Sequence, residues 1–338
     1  MKSRTWTALA GGLLALALGV LGATLPVPMV ALGPGPTFDT LGTVDGGPVI
    51  AVDGLPVYPT TGHLNMTTVS VTDRITMFTA LEFWASGERR VVPRELIFPS
   101  SSSTEQIEQE NAAQFASSEA NAESAVVEEL ALPATVVVTA VVPGVPAAAI
   151  LRDGDQLTEV DGRPLDSIDG LTSALAQTHP GQTVSIAYRR GGEQHVADVV
   201  LAASQDGTRG LLGVVPGAVT RDGDIKISLG GVGGPSAGLM FALGLVDKLT
   251  PGELTGGKFV AGTGAILPNG TVTKIDGIPF KMRAARDAGA TVFLVPADNC
   301  AEAASAAPDG LQLVRVGTLH DAIVGLDALR AGQPAATC

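Results

Sequence analysis

Gly230-Gly231-Val232-Gly233-Gly234-Pro235-Ser236-Ala237-Gly238 leads directly into the apolar run Leu239 to Leu249. The short β-type stretch Asp224 to Leu229 delivers this glycine-rich loop, and a helix is predicted to begin just beyond the serine. The first N–H groups of a helix have no partner inside it, and glycines let a ligand approach the backbone closely. Ser236 therefore stands where an attacking hydroxyl could act. Gly233, Gly234 and Ala237 are the candidate backbone donors to an oxyanion. A serine that merely caps the helix is the plainer reading of the same residues.

Two downstream stretches add to this. Val260-Ala261-Gly262-Thr263-Gly264-Ala265-Ile266 is a strand and turn of small residues. Ile275-Asp276-Gly277-Ile278-Pro279-Phe280-Lys281 opens a helix that runs to Ala288 and stops at Gly289. Pro279 suits the first helical position, which sets Lys281 in the first turn, where the helix dipole disfavours a cation. Burial makes a lysine lose its proton more readily, and a neutral amine is what a general base requires. Lowering a lysine from about 10.4 to about 7.5 costs roughly 4 kcal/mol, which a structural role does not account for. Lys274 reads as an ordinary exposed residue.

Gly234-Pro-Ser-Ala-Gly238, Ala261-Gly-Thr-Gly264, Gly277-Ile-x-x-Lys281 and Phe293-Leu-Val-Pro-Ala-Asp-Asn299 together resemble the proteolytic domain of Lon proteases, over about residues 205–330. The resemblance implies a serine endopeptidase of α/β fold with no cofactor and no metal. It makes Ser236 the nucleophile, Lys281 the dyad lysine and Thr263 the hydroxyl that hydrogen-bonds the lysine. It also implies a homo-oligomeric ring. Two positions depart from the pattern: Gly233 replaces an acidic residue often found there, and Asp276-Gly277 replaces Gly-Gly. No Gly-x-x-x-x-Gly-Lys-Ser/Thr occurs in the chain, so ATP is not an expected partner. Substrates are then expected to be unfolded or exposed.

Gly234-x-Ser236-x-Gly238 also fits the nucleophile elbow of α/β-hydrolases, with Asp298 and His320 following in the right order. An elbow needs a strand running straight into its first glycine, whereas here a five-residue glycine-rich loop intervenes. His320 reads as an exposed residue of a terminal helix. His63, His179 and His195 fall in turns or β-runs and are assigned no chemistry. Two cysteines and four scattered histidines offer no metal cluster.

Upstream, a strand over Val136 to Val142 precedes Arg152-Asp-Gly-Asp155, Val160-Asp-Gly162 and His179-Pro-Gly-Gln-Thr-Val184. This combination resembles a bacterial PDZ domain over about residues 132–203. PDZ domains take an extended peptide as an added strand, and the resemblance sets Val136, Val137, Val138, Thr139 and Ala140 near that edge. The Gly-apolar-Gly-apolar carboxylate loop of the family is absent before them. A PDZ domain that only spaces the protease from its attachment is the alternative.

Residues 100–130 carry seven glutamates and no lysine or arginine. Ser102 and Glu105 fit a capping box, so the stretch reads as a polar helix or as an acidic linker. Between residues 38 and 100, short β-type runs alternate with Gly and Pro. Gly33-Pro34-Gly35-Pro36 reads as a stiff, non-helical exit from what precedes it.

That preceding segment holds Lys2 and Arg4, then no charged side chain from Thr5 to Phe38. Trp6 to Leu25 is long enough for a bilayer core, and the positive flank keeps the N-terminus cytoplasmic. A cleaved signal peptide, cut near Leu21-Gly22-Ala23, is the rival reading. Outside the cytoplasm, Cys300 and Cys338 are expected to pair. A net charge of -13 without a basic patch excludes nucleic acid as a partner.

The expected architecture is an α+β multidomain chain. It comprises a transmembrane helix (1–31), a β-rich segment with an acidic helical stretch (32–131), a β-rich PDZ domain (132–203), a C-terminal α/β Lon-type proteolytic domain (204–332) and a tail (333–338). Anchor, PDZ and protease in that order resemble the YlbL-type branch of Lon-like proteases. Such a protein cleaves unfolded or PDZ-delivered protein and peptide substrates at the cell membrane, outside the cytoplasm. A catalytically inactive scaffold that binds protein partners is the alternative.

Overall fold

The computed structural model describes residues 2–99, 103–204, 207–230 and 232–338. Helix α1 (Lys2–Thr24) is followed by strands β1 (Met29–Asp39) and β2 (His63–Thr72), helix α2 (Met77–Ser86) and strand β3 (Arg90–Pro93). The long helix α3 (Thr104–Glu129) leads to β4 (Ala134–Val141), β5 (Gln156–Val160), α4 (Ile168–Leu175), β6 (Thr183–Arg190), β7 (Glu193–Val200) and β8 (Val214–Thr220). Helix α5 (Gly238–Leu249), β9 (Phe259–Gly262), α6 (Ile278–Asp287), β10 (Val292–Pro296), α7 (Cys300–Ser305), β11 (Gln312–Val316) and α8 (Leu319–Arg330) complete the chain.

The first sheet runs β11-β10-β9-β2-β1-β3. Strands β9, β10, β11 and β2 are parallel, while β1 joins β2 and β3 antiparallel. Alternation along the parallel strands explains the layers. Val260, Leu294, Val314 and Val316 face α3, α5 and α8. Ala261, Phe293, Val295 and Leu313 face α6 and α7. Residues 32–131 are therefore not a separate segment, and the proteolytic fold does not begin at 204. Three of the six strands come from the N-terminal third, because β9 would otherwise be an unpaired edge of a buried sheet.

Gly33-Pro34-Gly35-Pro36 lies inside β1, not in a linker. The pairing register shifts between Pro34 and Thr37, and β3 pairs only with residues up to Leu32. The prolines thus meet a free edge, where a missing N–H costs no ladder bond. Thr68 and Ser70 donate to the Pro36 and Pro34 carbonyls at 2.7 and 2.9 Å. Thr68 lies so close to Gly35 that a Cβ there would meet its Oγ1 at 2.3 Å.

The second sheet, β7-β6-β5-β4-β8, is antiparallel and encloses its own core around Val136, Leu157, Ile186 and Val199. It reaches Thr220, past the expected boundary at 203. The acidic stretch is one helix, α3, capped by Ser103 and Gln106 through reciprocal bonds of 3.2 and 2.8 Å. Ser102 lies outside the described residues.

Among the described residues no helix is long and apolar enough to cross a membrane. The side chains of residues 2–5, 7 and 8, at the start of the expected transmembrane helix, lie outside the described ones.

Candidate active site

Ser236 precedes the Ala237 N-cap of α5, and Lys281 closes the first turn of α6 through its N–H to the Gly277 carbonyl. The first helical residue is Ile278, so Pro279 takes the second position. The two helices lie on opposite faces of the sheet and meet beyond the C-terminal end of β9, where α/β sheets commonly place their sites. Lys281 Nζ donates to Ser236 Oγ at 2.7 Å and to Thr263 Oγ1 at 3.0 Å. Thr263 Oγ1 donates in turn to the Ser236 carbonyl at 3.0 Å, and Gly264 N–H donates to the same oxygen at 2.9 Å. The turn after β9 thereby holds both the serine backbone and the lysine amine.

Lys281 is 3% exposed, and burial pulls its pKa down to about 8, with the Asp276 charge opposing. Ile278, Met282 and Ala285 fix α6 in the core. Buried Asn299 bonds both the N–H and the carbonyl of Ile275, at 2.9 Å each, and so fixes the approach to that helix.

Helix α3 holds the glycine-rich loop of Ser236 from behind. Ser118 Oγ donates to the Pro235 carbonyl at 3.0 Å, Asn121 Nδ2 to the Ile266 carbonyl at 3.0 Å, and Gly234 N–H to the Asn111 carbonyl at 3.1 Å. This last bond corrects the expected oxyanion loop, since the Gly234 N–H is engaged by α3. Gly233 packs on Asn111. Gly233 and Ala237 keep N–H groups without a partner among the described residues, as does Ser236 itself. Sequence reasoning read α3 as a polar helix or an acidic linker and missed its contacts with this loop. Its signal was the stripe Asn111, Ser118, Asn121 and Ser124, spaced by seven, three and three residues along one face.

A cleft of about 620 Å³ opens onto Ser236 and Lys281, walled by Leu32, Phe38, Met66, Val69, Val71 and Phe280. His320 is far from forming an elbow triad. It sits exposed on α8, bonded to Glu129 at 2.8 Å. Cys300 and Cys338 are joined in a disulfide.

The expected peptide edge is also corrected. Residues Val136 to Ala140 lie on β4, an interior strand covered by β5 and β8. The sheet edge is β8, and a cleft of about 180 Å³ runs between it and α4, bounded by Leu171, Leu175 and Leu212. Gly210-Leu211-Leu212-Gly213-Val214 forms its end. The glycine-apolar loop that is absent before β4 thus occurs after β7. A Cβ at Gly210 would meet Leu201 and Thr178 at 2.5 and 2.6 Å, so only glycine fits there.

A lysine amine bonded to a serine behind a loop rich in glycine is an arrangement used by some acyl-transfer hydrolases, and the comparisons point to the same class. Residues 220–323 match the Lon protease (S16) C-terminal proteolytic domain, and residues 108–201 match the PDZ domain. The chain thus carries a Lon-type serine-protease domain together with a PDZ domain. Lon protease 2 of Bacillus subtilis (strain 168) is 32% identical over 110 residues, which cover 32% of this chain and 19% of that protein. The periplasmic pH-dependent serine endoprotease DegQ of Escherichia coli (strain K12) is 33% identical over 93 residues, 26% of this chain and 20% of that protein. The chain thus spans about a fifth of the length of these curated relatives. Among solved structures, the PDZ domain of the SdrC-like protein from Listeria monocytogenes is 35% identical, covering 24% of this chain and 85% of that one, with a TM-score of 0.23.

Proposed function

We propose that this chain is an ATP-independent serine endopeptidase in which Ser236 is the nucleophile and Lys281 the general base. The observation that carries the proposal is the buried Lys281 amine, shared between Ser236 and Thr263 and lowered to about 8. Neutral Lys281 accepts the Ser236 proton as Oγ attacks the scissile carbonyl. The developing oxyanion is met by the N–H groups of Ser236 and Ala237. The lysine then returns the proton to the leaving amine, and water releases the acyl group by the same route reversed. Thr263 keeps the amine aimed at Oγ.

Helix α1 anchors the protein in a membrane, with the catalytic domain outside the cytoplasm. Support comes from the exposure of Leu9, Leu13, Leu14, Leu16 and Leu18, each more than half open. The disulfide fits an oxidising compartment. Substrates are unfolded proteins, or peptides that add to β8 in the groove beside α4. The test is cleavage of unfolded casein by the full chain beside Ser236→Ala and Lys281→Arg. Arginine cannot surrender its proton, so both variants are expected to be inactive. Cleavage by either one overturns the assignment, and an inert wild type favours a binding scaffold.

A further inference from the structure

Helix α2 reads Met77-Phe78-Thr79-Ala80-Leu81-Glu82-Phe83-Trp84-Ala85-Ser86, ten residues with one charge. Such a composition normally packs against a core, yet none of its residues is buried. Met77, Phe78, Leu81 and Trp84 are 43%, 47%, 51% and 78% exposed. The helix is well made nonetheless. Thr76 Oγ1 accepts from Thr79 N–H at its start, and Gly87 ends it in the left-handed conformation. At 100° per residue, Ala80, Trp84, Met77, Leu81, Ala85 and Phe78 fill one continuous arc of about 160°, with Glu82, Ser86 and Thr79 opposite.

This face does not stand alone. A Cβ built at Gly22 of α1 would meet the Met77 methyl at 2.7 Å and the Phe78 ring at 3.3 Å, so α2 lies on the last turns of α1. The connection is fixed by the Val27 N–H to the Ile75 carbonyl at 2.9 Å and by pairing of Pro26 with Thr76. The apolar arc thus continues the exposed surface of Leu18, Leu21 and Leu25. At its rim, the Arg89 guanidinium covers the Phe83 ring at 5.3 Å, and Arg74 and Arg90 are exposed.

We infer that α2 is a second membrane contact, lying in the headgroup–acyl boundary of a phospholipid bilayer beside the exit of α1. The inference rests on reading α1 as the span. Held against the last turns of that helix, α2 can only sit at the depth where the chain leaves the hydrocarbon. That depth favours a tryptophan ring and an apolar arc backed by arginine. Two contacts, unlike one, fix the tilt of the protease. The exposed Leu96 adjoins Ile97, which lines the active-site cleft with Val71, so the cleft opens beside the same surface.

The chain has two tryptophans, Trp6 on α1 and Trp84 on α2, so conservative variants separate the two claims. Full-length Trp6→Phe and Trp84→Phe proteins are reconstituted into phosphatidylcholine vesicles brominated either near the headgroups or near the chain ends. Trp84 is expected to emit blue-shifted and to be quenched most by the shallow bromines. If Trp6 is quenched while Trp84 keeps the emission of a water-exposed indole, the inference is overturned and the anchor stands. If neither is quenched, the anchor reading fails and takes the inference with it. A Trp84 that is shielded from water but untouched by bromine in either position assigns the face to a second copy of the chain and overturns the lipid contact.

Discussion

With Lys281 as the proposed general base, its burial sets the expected pH dependence of proteolysis. With its pKa at about 8, about one lysine in eleven is neutral at pH 7, half at pH 8 and about ten in eleven at pH 9. At the ordinary value of 10.5 the neutral fraction at pH 7 would be about 300-fold smaller. The kcat/KM for a casein-derived peptide should therefore rise about tenfold between pH 7 and 9 and then level off. Asp276 opposes the effect of burial, because its charge favours the protonated amine. Asp276→Asn should thus move the midpoint to lower pH, raising activity at pH 7 and leaving the plateau unchanged. The assay is a kcat/KM profile of both proteins over pH 6–10 at constant ionic strength. A flat profile, a midpoint at the free-lysine value, or an upward shift in the Asn variant would refute the reasoning.

Three further outcomes are expected. Lys281→Met abolishes activity yet stabilises the native state. The lysine's lowered pKa costs about 3 kcal/mol below pH 8, and this penalty disappears between pH 8 and 10.5, where the unfolded chain alone still holds the proton. After loss of two hydrogen bonds the net gain is about 1–2 kcal/mol at pH 7, read by denaturant unfolding, and it shrinks across that window. Ser118→Ala lowers kcat by about tenfold with little change in KM, because the Pro235 carbonyl beside the nucleophile loses its donor. Cys338→Ser removes a cross-link between positions 38 apart and lowers stability by about 4 kcal/mol, and reductant should lower the Tm of the wild type but not of the variant.

The site was legible in the sequence where its parts are local. Ser236 and Lys281 each sit at a helix start, and helix starts leave a record in Gly, Pro and the onset of apolar periodicity. Thr263 was reached through resemblance alone, because a threonine after a short strand carries no signal of its own. What the sequence hid was pairing. Nothing in β2 announces that its parallel partner, β9, lies beyond residue 250, and strands of both sheets have similar composition. The peptide edge was misassigned for the same reason. Strand β4 opens its sheet in chain order, but β8 closes over it in space. Helix α3 was read for its acidic residues, whereas its small polar ones touch the loop.

The sheet's chain order also governs when the enzyme comes into being. The second sheet is inserted within the first fold and enters and leaves at one point, where the Arg221 N–H meets the Pro133 carbonyl at 2.8 Å. It can close on itself as soon as it has been synthesised. Strand β2, by contrast, must wait for β9, its parallel partner from the far end of the chain, with Leu64 opposite Val260. Contacts so distant in sequence form late. A growing chain therefore displays its PDZ domain well before Lys281 exists to meet Ser236. The Ser236–Lys281 contact is thus among the last features of the fold to form.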